Sequence, residues 1–210
     1  MIPIYHITHV ANLAGIVAAG DLWCDAVGSA KKDLGASFVG IAHQHIKDRR
    51  SRKVVEMAAG GTLADYVPFY FAPRSPMLYA ISGGSVASYT EGQEQVVHLV
   101  TNVKAACALN KPWCFTDGHA DMEISKQFGE LSSLDKIDWN IMKETWWNDT
   151  MQDGDRKRRR QAEFLVHQTF PWTGVAEIGV MSQKIAASAR SALNGAKHRP
   201  KVVLRPDWYY

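Results

Sequence analysis

The 210-residue chain carries 24 lysines and arginines against 21 aspartates and glutamates, a formal net charge of +3, and 46% of its residues are hydrophobic. These fractions are typical of a globular protein and exclude disordered, collagen-like and coiled-coil chains. No apolar run reaches the roughly 18 residues that a transmembrane helix needs, and three cysteines are too few for a disulfide scaffold. We therefore expect a single domain over residues 1–210, with no membrane span, in the reducing cytoplasm.

The charge is distributed unevenly along the chain. Five cations lie within residues 47–53, five more are consecutive at residues 156–160, and four lie between residues 197 and 205. Residues 117–155 have the opposite character, with ten acidic residues against three lysines. Such sorting can present a basic face to a polyanion, although each cluster alone also fits a solvated surface. The nearby aromatic residues that are candidates for stacking on bases are Tyr66, Phe69, Tyr70, Trp172, Trp208, Tyr209 and Tyr210.

The hydrophobic pattern predicts a strand over residues 2–7 and then a helix that Thr8 caps and Gly20 ends. Further strands are predicted at residues 67–71, 96–100, 113–116, 163–167, 175–181 and 201–205. Further helices are predicted at residues 41–52, 76–82, 103–110, 138–147 and 183–194. These elements do not alternate as regular βαβ units, and no glycine-rich nucleotide motif follows a strand. We therefore predict an α+β fold with a mixed or antiparallel sheet.

The cysteines and histidines do not form a common metal-binding pattern. Cys107, Cys114 and His119 are spaced by seven and five residues, which matches no zinc signature. Paired C-x-x-C motifs and H-E-x-x-H are missing from the sequence. We therefore predict no metal site.

Two local features have chemical potential. The first is a group of polar residues, His6, Thr8, His9 and Asn12, where a strand enters a helix. A helix start of this kind suits an anion or a nucleotide, but Thr8 as a simple cap and His6 as a core histidine fit equally well. The second is Glu163, a single acid between a run of cations and an apolar strand. This carboxylate could bind a ribose hydroxyl or stabilise a developing cation, or form a salt bridge with the adjacent arginines.

Several longer motifs together resemble a known family. They occur in a fixed order and spacing: YHITHVANLAGIVAAG (5–20), IKDRRSRK (46–53), DYVPFYFAPRSPMLYAI (65–81), FTDGH (115–119), QAEFLV (161–166) and RPDWYY (205–210). This pattern resembles the DarT family, the DNA ADP-ribosyltransferase toxins of DarT–DarG toxin–antitoxin systems. The resemblance extends from Ile4 to Tyr210.

The resemblance implies an ADP-ribosyltransferase-like fold, with split mixed or antiparallel sheets and surrounding helices that form an NAD cleft. It implies transfer of ADP-ribose from NAD to a thymine base in single-stranded DNA, release of nicotinamide, and no requirement for a metal. It also implies a macrodomain antitoxin, DarG-like, that removes the modification. We expect the protein to be a monomer.

The resemblance also implies the site residues. Arg50 and Glu163 match the catalytic arginine and glutamate of the family. The residues implied to bind the cofactor are His6, Ile7, Thr8, Gly15, Trp23 and Arg50. The segment between His119 and Arg160 is implied to recognise the substrate.

Elementary chemistry agrees with these assignments. Breaking the N-glycosidic bond of NAD builds positive charge on the ribose, which a fixed carboxylate at Glu163 would stabilise. An arginine is effectively never deprotonated in a protein, so we expect Arg50 to stabilise the anionic base rather than to accept its proton.

Two alternatives stay open at this point. One is a transferase that acts on RNA or protein, and the other is a nonenzymatic module that binds single-stranded nucleic acid.

Overall fold

The computed structural model describes residues 1–33 and 37–210. Its strands are β1 (Pro3–His9), β2 (Asp21–Trp23), β3 (Tyr66–Tyr70), β4 (Val96–Asn102), β5 (Trp113–His119), β6 (Gln127–Phe128), β7 (Ala162–His167), β8 (Thr169–Pro171), β9 (Glu177–Val180) and β10 (Lys201–Leu204). Its α-helices are α1 (Asn12–Ala19), α2 (Asp25–Asp33), α3 (Gln44–Arg50), α4 (Pro76–Ser82), α5 (Val103–Cys107), α6 (Arg156–Arg160) and α7 (Gln183–Ala192). Short 3-10 helices lie at Leu63–Asp65, Gln93–Gln95, Leu131–Lys136, Ile141–Lys143, Trp172–Gly174 and Pro206–Trp208.

The strands form one large sheet and one small sheet. The large sheet has eight strands in the order β10-β9-β4-β1-β3-β7-β5-β6, and β2 pairs with β8 in a sheet of two strands. Neighbouring strands are antiparallel, except that β9 and β10 are parallel. This architecture confirms the predicted α+β class with a mixed sheet.

The large sheet is nearly divided between β1 and β3. These two strands meet at a single residue pair, Tyr5 with Tyr70. In contrast, β1 pairs with β4 along seven residues, and β3 pairs with β7 along five. Each half of the sheet is therefore internally continuous, and a gap opens between the halves along the remainder of β1. This is the split sheet that the resemblance implied.

The start of α1 differs from the prediction, and its end agrees with it. Thr8 belongs to β1, where it pairs with Val97 of β4, so the prediction that it caps the helix is wrong. The helix begins at Asn12, whose side-chain Nδ2 donates to Thr8 Oγ1 over 3.0 Å. Gly20 ends the helix in the left-handed conformation, with φ of 75°, which glycine adopts without steric strain.

The predicted helix at residues 138–147 is wrong, and a local competition explains the difference. The Asp138 carboxylate accepts hydrogen bonds from the backbone N–H groups of Asn140 and Ile141. Such side-chain bonds favour turns over α-helix. The buried Arg160 guanidinium also binds the carbonyls of Ile141 and Glu144. Residues 138–147 therefore contain only a short 3-10 helix, Ile141–Lys143.

Other boundaries shift by a few residues. The helix predicted at 41–52 is limited to Gln44–Arg50, and the one predicted at 103–110 ends at Cys107. The short elements β2, β6, β8, α2 and α6 were not predicted. The strands and α6 are too short to show a clear periodicity, and α2, with nine residues, has only Ala26, Val27 and Ala30 as apolar side chains.

The basic run at residues 156–160 does not form the predicted open basic face. Arg158 pairs with Asp117 at 3.1 Å and with Asp155 at 2.7 Å. Arg159 pairs with Asp153 and with Asp138. The acidic segment at residues 117–155 therefore neutralises much of this run within the molecule.

Several aromatic residues proposed to stack on bases lie instead in the hydrophobic core. Tyr66, Phe69, Trp172 and Tyr209 are each at most 4% exposed. Their rings pack against neighbouring strands and cannot reach a ligand at the surface.

None of the helices within the described ranges is long and apolar enough to cross a bilayer.

His98 makes the stability of this fold depend on pH. Its side chain is fully buried in β4, and its Nε2 lies 3.0 Å from the carbonyl oxygen of Pro73. Burial lowers the pKa of His98 from 6.5 to about 4, although the bond to Pro73 opposes this shift. The folded protein therefore holds His98 neutral in a range where the unfolded chain binds a proton.

The low pKa of His98 means that protonation of the unfolded chain destabilises the folded protein in acid. We expect no such loss of stability above pH 6.5 and a growing loss as the pH decreases from 6.5 toward about 4. The loss from this single group is roughly 3 kcal/mol. Urea unfolding at several pH values would measure it, with His98→Gln as the comparison, because glutamine does not titrate. An equal loss of stability in both proteins would show that His98 does not cause the pH dependence.

Candidate active site

A cavity of about 650 Å³ opens where β1 and β3 separate. Its volume lies within the range of about 300–1,000 Å³ that is usual for small-molecule sites. The wall is formed by β1, α1, β2, α2, the segment at residues 37–42, α3 and β3. The gap in the sheet therefore creates the cavity.

Most of the predicted cofactor-binding residues lie on this wall. They are His6, Ile7, Thr8, Gly15 and Trp23. A methyl group added at Gly15 would meet no other atom within 4 Å. Packing within the described residues therefore does not require a glycine at this position.

His6 bridges the gap between the two halves of the sheet. Its Nδ1 lies 2.9 Å from the carbonyl oxygen of Pro68, and because a carbonyl only accepts, Nδ1 carries the proton. Burial lowers the pKa of His6, although the bond to Pro68 opposes this shift. The imidazole is therefore neutral near pH 7, and its Nε2 is available as an acceptor on a residue that lines the cavity.

Asn12 holds the segment at residues 37–42 against α1. Its Nδ2 donates to the Val39 carbonyl over 2.9 Å, and its Oδ1 accepts from the Val39 N–H over 2.7 Å. The same Nδ2 donates to Thr8 Oγ1. One side chain therefore joins three parts of the cavity wall: β1, α1 and this segment.

Arg50 and Glu163, the predicted catalytic residues, form a buried ion pair. Arg50 Nη1 lies 2.9 Å from Glu163 Oε2 and 3.2 Å from Oε1. The residues are only 7% and 3% exposed. Burial alone lowers the pKa of Arg50, but the charge and hydrogen bonds of Glu163 outweigh this effect and raise it. Arg50 therefore stays protonated.

The pair adjoins the cavity at Tyr70. Tyr70 lines the cavity and is directly opposite Glu163 in the pairing of β3 with β7. Arg50 and Glu163 are not themselves on the cavity wall. Lys47, one turn earlier than Arg50 on α3, does reach the wall, where it pairs with Asp25 at 3.0 Å.

Arg50 also has unused hydrogen-bonding capacity. Its Nη2 is buried and has no hydrogen-bond partner among the residues that the structure describes. A buried donor of this kind is unfavourable unless a ligand satisfies it. A carbonyl, an anionic base or a phosphate oxygen would fit this atom.

Two other cations of residues 47–53 bind different carboxylates. Arg49 pairs with Asp121, and Lys53 pairs with Glu123 at 2.7 Å. Adjacent residues on a helix point in different directions, which separates Arg49 from Glu163. The alternative that Glu163 pairs with its adjacent arginines is wrong, since its partner lies 113 residues away in sequence.

Two residues near the pair were not predicted as site residues. Tyr70 is held neutral because burial and the charge of Glu163 raise its pKa, although Arg50 opposes this. His119, at the end of β5, accepts the Asp121 N–H at Nδ1, so its proton lies on Nε2. Burial lowers the pKa of His119, while the nearby charge of Glu163 opposes this. Both residues lie within conspicuous motifs, but no spacing rule indicates their chemistry.

Metal-ligating side chains are not gathered into a site here. Over residues 1–33 and 37–210, no group of three or more histidine, cysteine, aspartate and glutamate side chains is arranged to hold a metal ion.

The ion pair has a testable consequence for stability. Glu163→Ala would leave the Arg50 charge buried without a partner, and we expect it to reduce the free energy of unfolding by about 3–5 kcal/mol. The double variant Arg50→Met/Glu163→Met removes both charges and should lose less. Urea unfolding at neutral pH would measure both.

Glu177→Ala provides the control, since it breaks the more exposed pair with Arg205 and should change stability by about 0–1 kcal/mol. If the double variant lost as much stability as the sum of the losses in Arg50→Met and Glu163→Met, the two charges would not be coupled.

Comparison with known proteins places this geometry in a family. The family model described as ssDNA thymidine ADP-ribosyltransferase, DarT, matches residues 5–210. A DNA ADP-ribosyl transferase of Thermus sp. (strain 2.9) is 40% identical over 210 residues, which cover 99% of this chain and 96% of the relative. A DNA ADP-ribosyl transferase–DNA ADP-ribosyl glycohydrolase fusion protein of Thermosipho africanus is 24% identical over 193 residues, and the match covers 91% of this chain and 45% of the fusion.

Solved structures give the same result. Thermus sp. 2.9 DarT in complex with ADP-ribosylated ssDNA superposes with a TM-score of 0.90 at 39% identity, covering 100% of this chain and 96% of that one. Thermus sp. 2.9 DarT in complex with NAD+ gives a TM-score of 0.86 at 38% identity, covering 100% and 98%. Because the family model matches nearly the whole of this chain, the chain belongs to the DarT family of ssDNA thymidine ADP-ribosyltransferases, as its sequence motifs predicted.

Proposed function

We propose that this chain binds NAD+ in the cavity between β1 and β3 and transfers ADP-ribose to thymine in single-stranded DNA, with Arg50 and Glu163 as its catalytic residues. The observation that carries the proposal is the buried Arg50–Glu163 pair, which adjoins the cavity at Tyr70. The Thermus relatives bound to NAD+ and to ADP-ribosylated ssDNA support both substrates.

NAD+ supplies the electrophile of this reaction. Its bond between the ribose C1′ and nicotinamide breaks, and positive charge develops on the ribose. The Glu163 carboxylate stabilises that charge in a site from which water is largely excluded. Nicotinamide leaves as a neutral molecule.

The acceptor is the thymine base. In DNA, thymine has one N–H group, and we propose that its nitrogen forms the new bond to C1′ and loses its proton to solvent. Arg50 cannot accept this proton because it remains charged. Its role is electrostatic, since the unsatisfied Nη2 can donate to the base as negative charge develops.

The cavity wall positions the cofactor. His6 Nε2 is an acceptor at the β1 side of the cavity, and the Lys47 ammonium is a cation at the α3 side. Asn12 fixes the segment at residues 37–42. We propose that His6, Ile7, Thr8, Gly15 and Trp23 contact NAD+.

The remaining predictions concern the cellular context. We propose that residues 1–210 act as one catalytic domain and as a monomer, because a single chain supplies both the cavity and the ion pair. The location that we propose is the cytoplasm, since three cysteines are too few for a disulfide scaffold. We also propose a macrodomain antitoxin as partner. The Thermosipho fusion of a transferase with a DNA ADP-ribosyl glycohydrolase supports a partner that removes the modification.

A comparison of acceptors tests the reaction. Purified protein would be incubated with NAD+ and, in parallel, with a thymine-containing single strand, its duplex, an RNA of matching sequence or a protein. We expect nicotinamide release and label transfer with the single strand, and at least about tenfold less with the duplex, because pairing hides the reacting edge of the base.

Transfer to RNA or protein at an equal rate would favour the alternative acceptors. DNA binding without any nicotinamide release would favour a nonenzymatic binding module.

Arg50 should matter far more than its neighbour. We expect Arg50→Lys to reduce DNA labelling by about 100-fold, since lysine keeps the charge but loses the planar fork that reaches both Glu163 and the base. The control is Arg49→Ala, which removes only the Asp121 pair and should stay within about threefold of the parent.

Initial labelling rates at saturating NAD+ would measure both variants. Equal and mild losses in the two variants would remove Arg50 from the catalytic residues.

A further inference from the structure

The cavity between β1 and β3 carries few charged side chains on its wall. Among the described residues these are two carboxylates, Asp21 and Asp25, and one ammonium group, Lys47. Asp25 and Lys47 pair with each other at 3.0 Å. The Asp21 carboxylate has no hydrogen bond or ion pair with any group within residues 1–33 and 37–210. Its oxygens are therefore free to accept hydrogen bonds from a ligand in the cavity.

Asp21 and Trp23 lie on the same face of β2. Successive side chains of a strand point to opposite faces, and Leu22, between these two residues, is 1% exposed and packs in the hydrophobic core. Asp21 and Trp23 are half-buried, and both line the cavity. Their backbone is fixed by the pairing of β2 with β8, Asp21 with Pro171 and Trp23 with Thr169. The strand therefore presents a carboxylate and an aromatic ring side by side to the cavity.

Asp21 is farther from the reacting end of the cavity than Asp25 is. The reacting end is where Tyr70 lines the cavity opposite Glu163, and His6 lies beside it on β1. Burial lowers the pKa of His6, and the nearby charge of Asp25 is one of the effects that oppose this shift. The charge of Asp21 is not among those effects. The free carboxylate therefore faces a part of the cavity beyond the reacting ribose.

We propose that Asp21 binds the adenosine ribose of NAD+ and makes the enzyme select NAD+ over NADP+. This inference rests on the proposed function, which places NAD+ in the cavity. A carboxylate accepts hydrogen bonds from ribose hydroxyls, and an acid of this kind recognises the 2′-hydroxyl in many dinucleotide-binding domains. With the nicotinamide ribose beside Tyr70 and the diphosphate at Lys47, the adenosine reaches β2, where the Trp23 ring offers a flat face to adenine.

The discrimination follows from charge. NADP+ differs from NAD+ by a phosphate on the 2′-oxygen of the adenosine ribose. This phosphate removes the hydroxyl donor and adds a charge of about −1.5 to −2 at pH 7, which would face the negative charge of Asp21. Lys47 is the single cation among the described wall residues, and Asp25 already holds it. The wall therefore repels NADP+ at the position where it binds NAD+.

The first test measures binding by calorimetry without DNA, with ADP-ribose and 2′-phospho-ADP-ribose as probes. These probes lack nicotinamide and differ only at the adenosine ribose. We expect the parent to bind ADP-ribose at least about 100-fold more tightly than its 2′-phosphate. Asp21→Ala should raise the Kd for ADP-ribose about tenfold and lower the Kd for the phosphate, and Asp21→Asn, which keeps the shape, should reduce the selectivity in the same direction. The control is Asp207→Ala, which removes an exposed acid outside the cavity wall and should keep the selectivity of the parent.

Labelling kinetics give a second measurement. Asp21→Ala should raise the KM for NAD+ about tenfold and leave kcat within about twofold of the parent, because the adenosine ribose does not change during the reaction. An NAD+ analogue without the adenosine 2′-hydroxyl should bind the parent about tenfold more weakly than NAD+ does. The same analogue should lose little further affinity in Asp21→Ala. A purely structural role of Asp21 would not produce this non-additive result.

Equal affinity of the parent for the two probes would overturn the inference, as would an unchanged ratio of the two Kd values in Asp21→Ala and Asp21→Asn. Additive losses from the missing 2′-hydroxyl and from Asp21→Ala would also overturn it, since the two groups would then not touch. A parent that neither binds NAD+ nor labels DNA would refute the proposed function itself. A parent that labels DNA with NAD+ and NADP+ equally well would refute only this inference.

Discussion

Arg50 and Glu163 place two opposite charges in the interior, at 2.9 Å from each other and 113 residues apart in sequence. Removing two charges from water is unfavourable by several kcal/mol for each ion, and only close geometry compensates for it. The pair therefore forms only if the C-terminal end of α3 and the N-terminal end of β7 lie next to each other in the fold. It also leaves Arg50 Nη2 buried without a partner among the described residues, so the arrangement that satisfies one side of the guanidinium leaves the other side for a ligand.

The opening between β1 and β3 converts an ordinary sheet into a binding cleft. Each strand is fully paired on its far side, β1 with β4 and β3 with β7, so the backbone groups at the gap can be left unpaired without unfolding either half. His6 crosses the gap by a bond to Pro68. The cavity and the Arg50–Glu163 pair lie side by side because Tyr70 of β3 lines the cavity and is directly opposite Glu163 in β7. The place where NAD+ is proposed to bind thus follows from a missing stretch of strand pairing.

The arginines of the run at residues 156–160 act mainly within the molecule. Arg158 holds Asp117 and Asp155, Arg159 holds Asp138 and Asp153, and Arg160 binds backbone carbonyls. Because this run immediately precedes β7, these three arginines attach parts of the acidic segment to the strand that carries Glu163. The charge of Arg158 and Arg159 therefore serves internal pairing rather than an open basic face.

The sequence by itself determined the fold class, most of the longer strands and the family, because hydrophobic alternation and motif spacing are local properties of the chain. It assigned roles to Arg50 and Glu163 only through the resemblance, since the local sequence left open whether Glu163 binds a ligand or pairs with its adjacent arginines. Tertiary structure alone decided the ion pair, the position of the gap between β1 and β3, and the loss of the helix predicted at residues 138–147. Each of these depends on groups far apart in sequence, such as the Arg160 guanidinium on the Ile141 carbonyl. A periodic pattern indicates which face of an element is buried. It contains no information about which distant side chain will bind a backbone carbonyl or pair with a charged group.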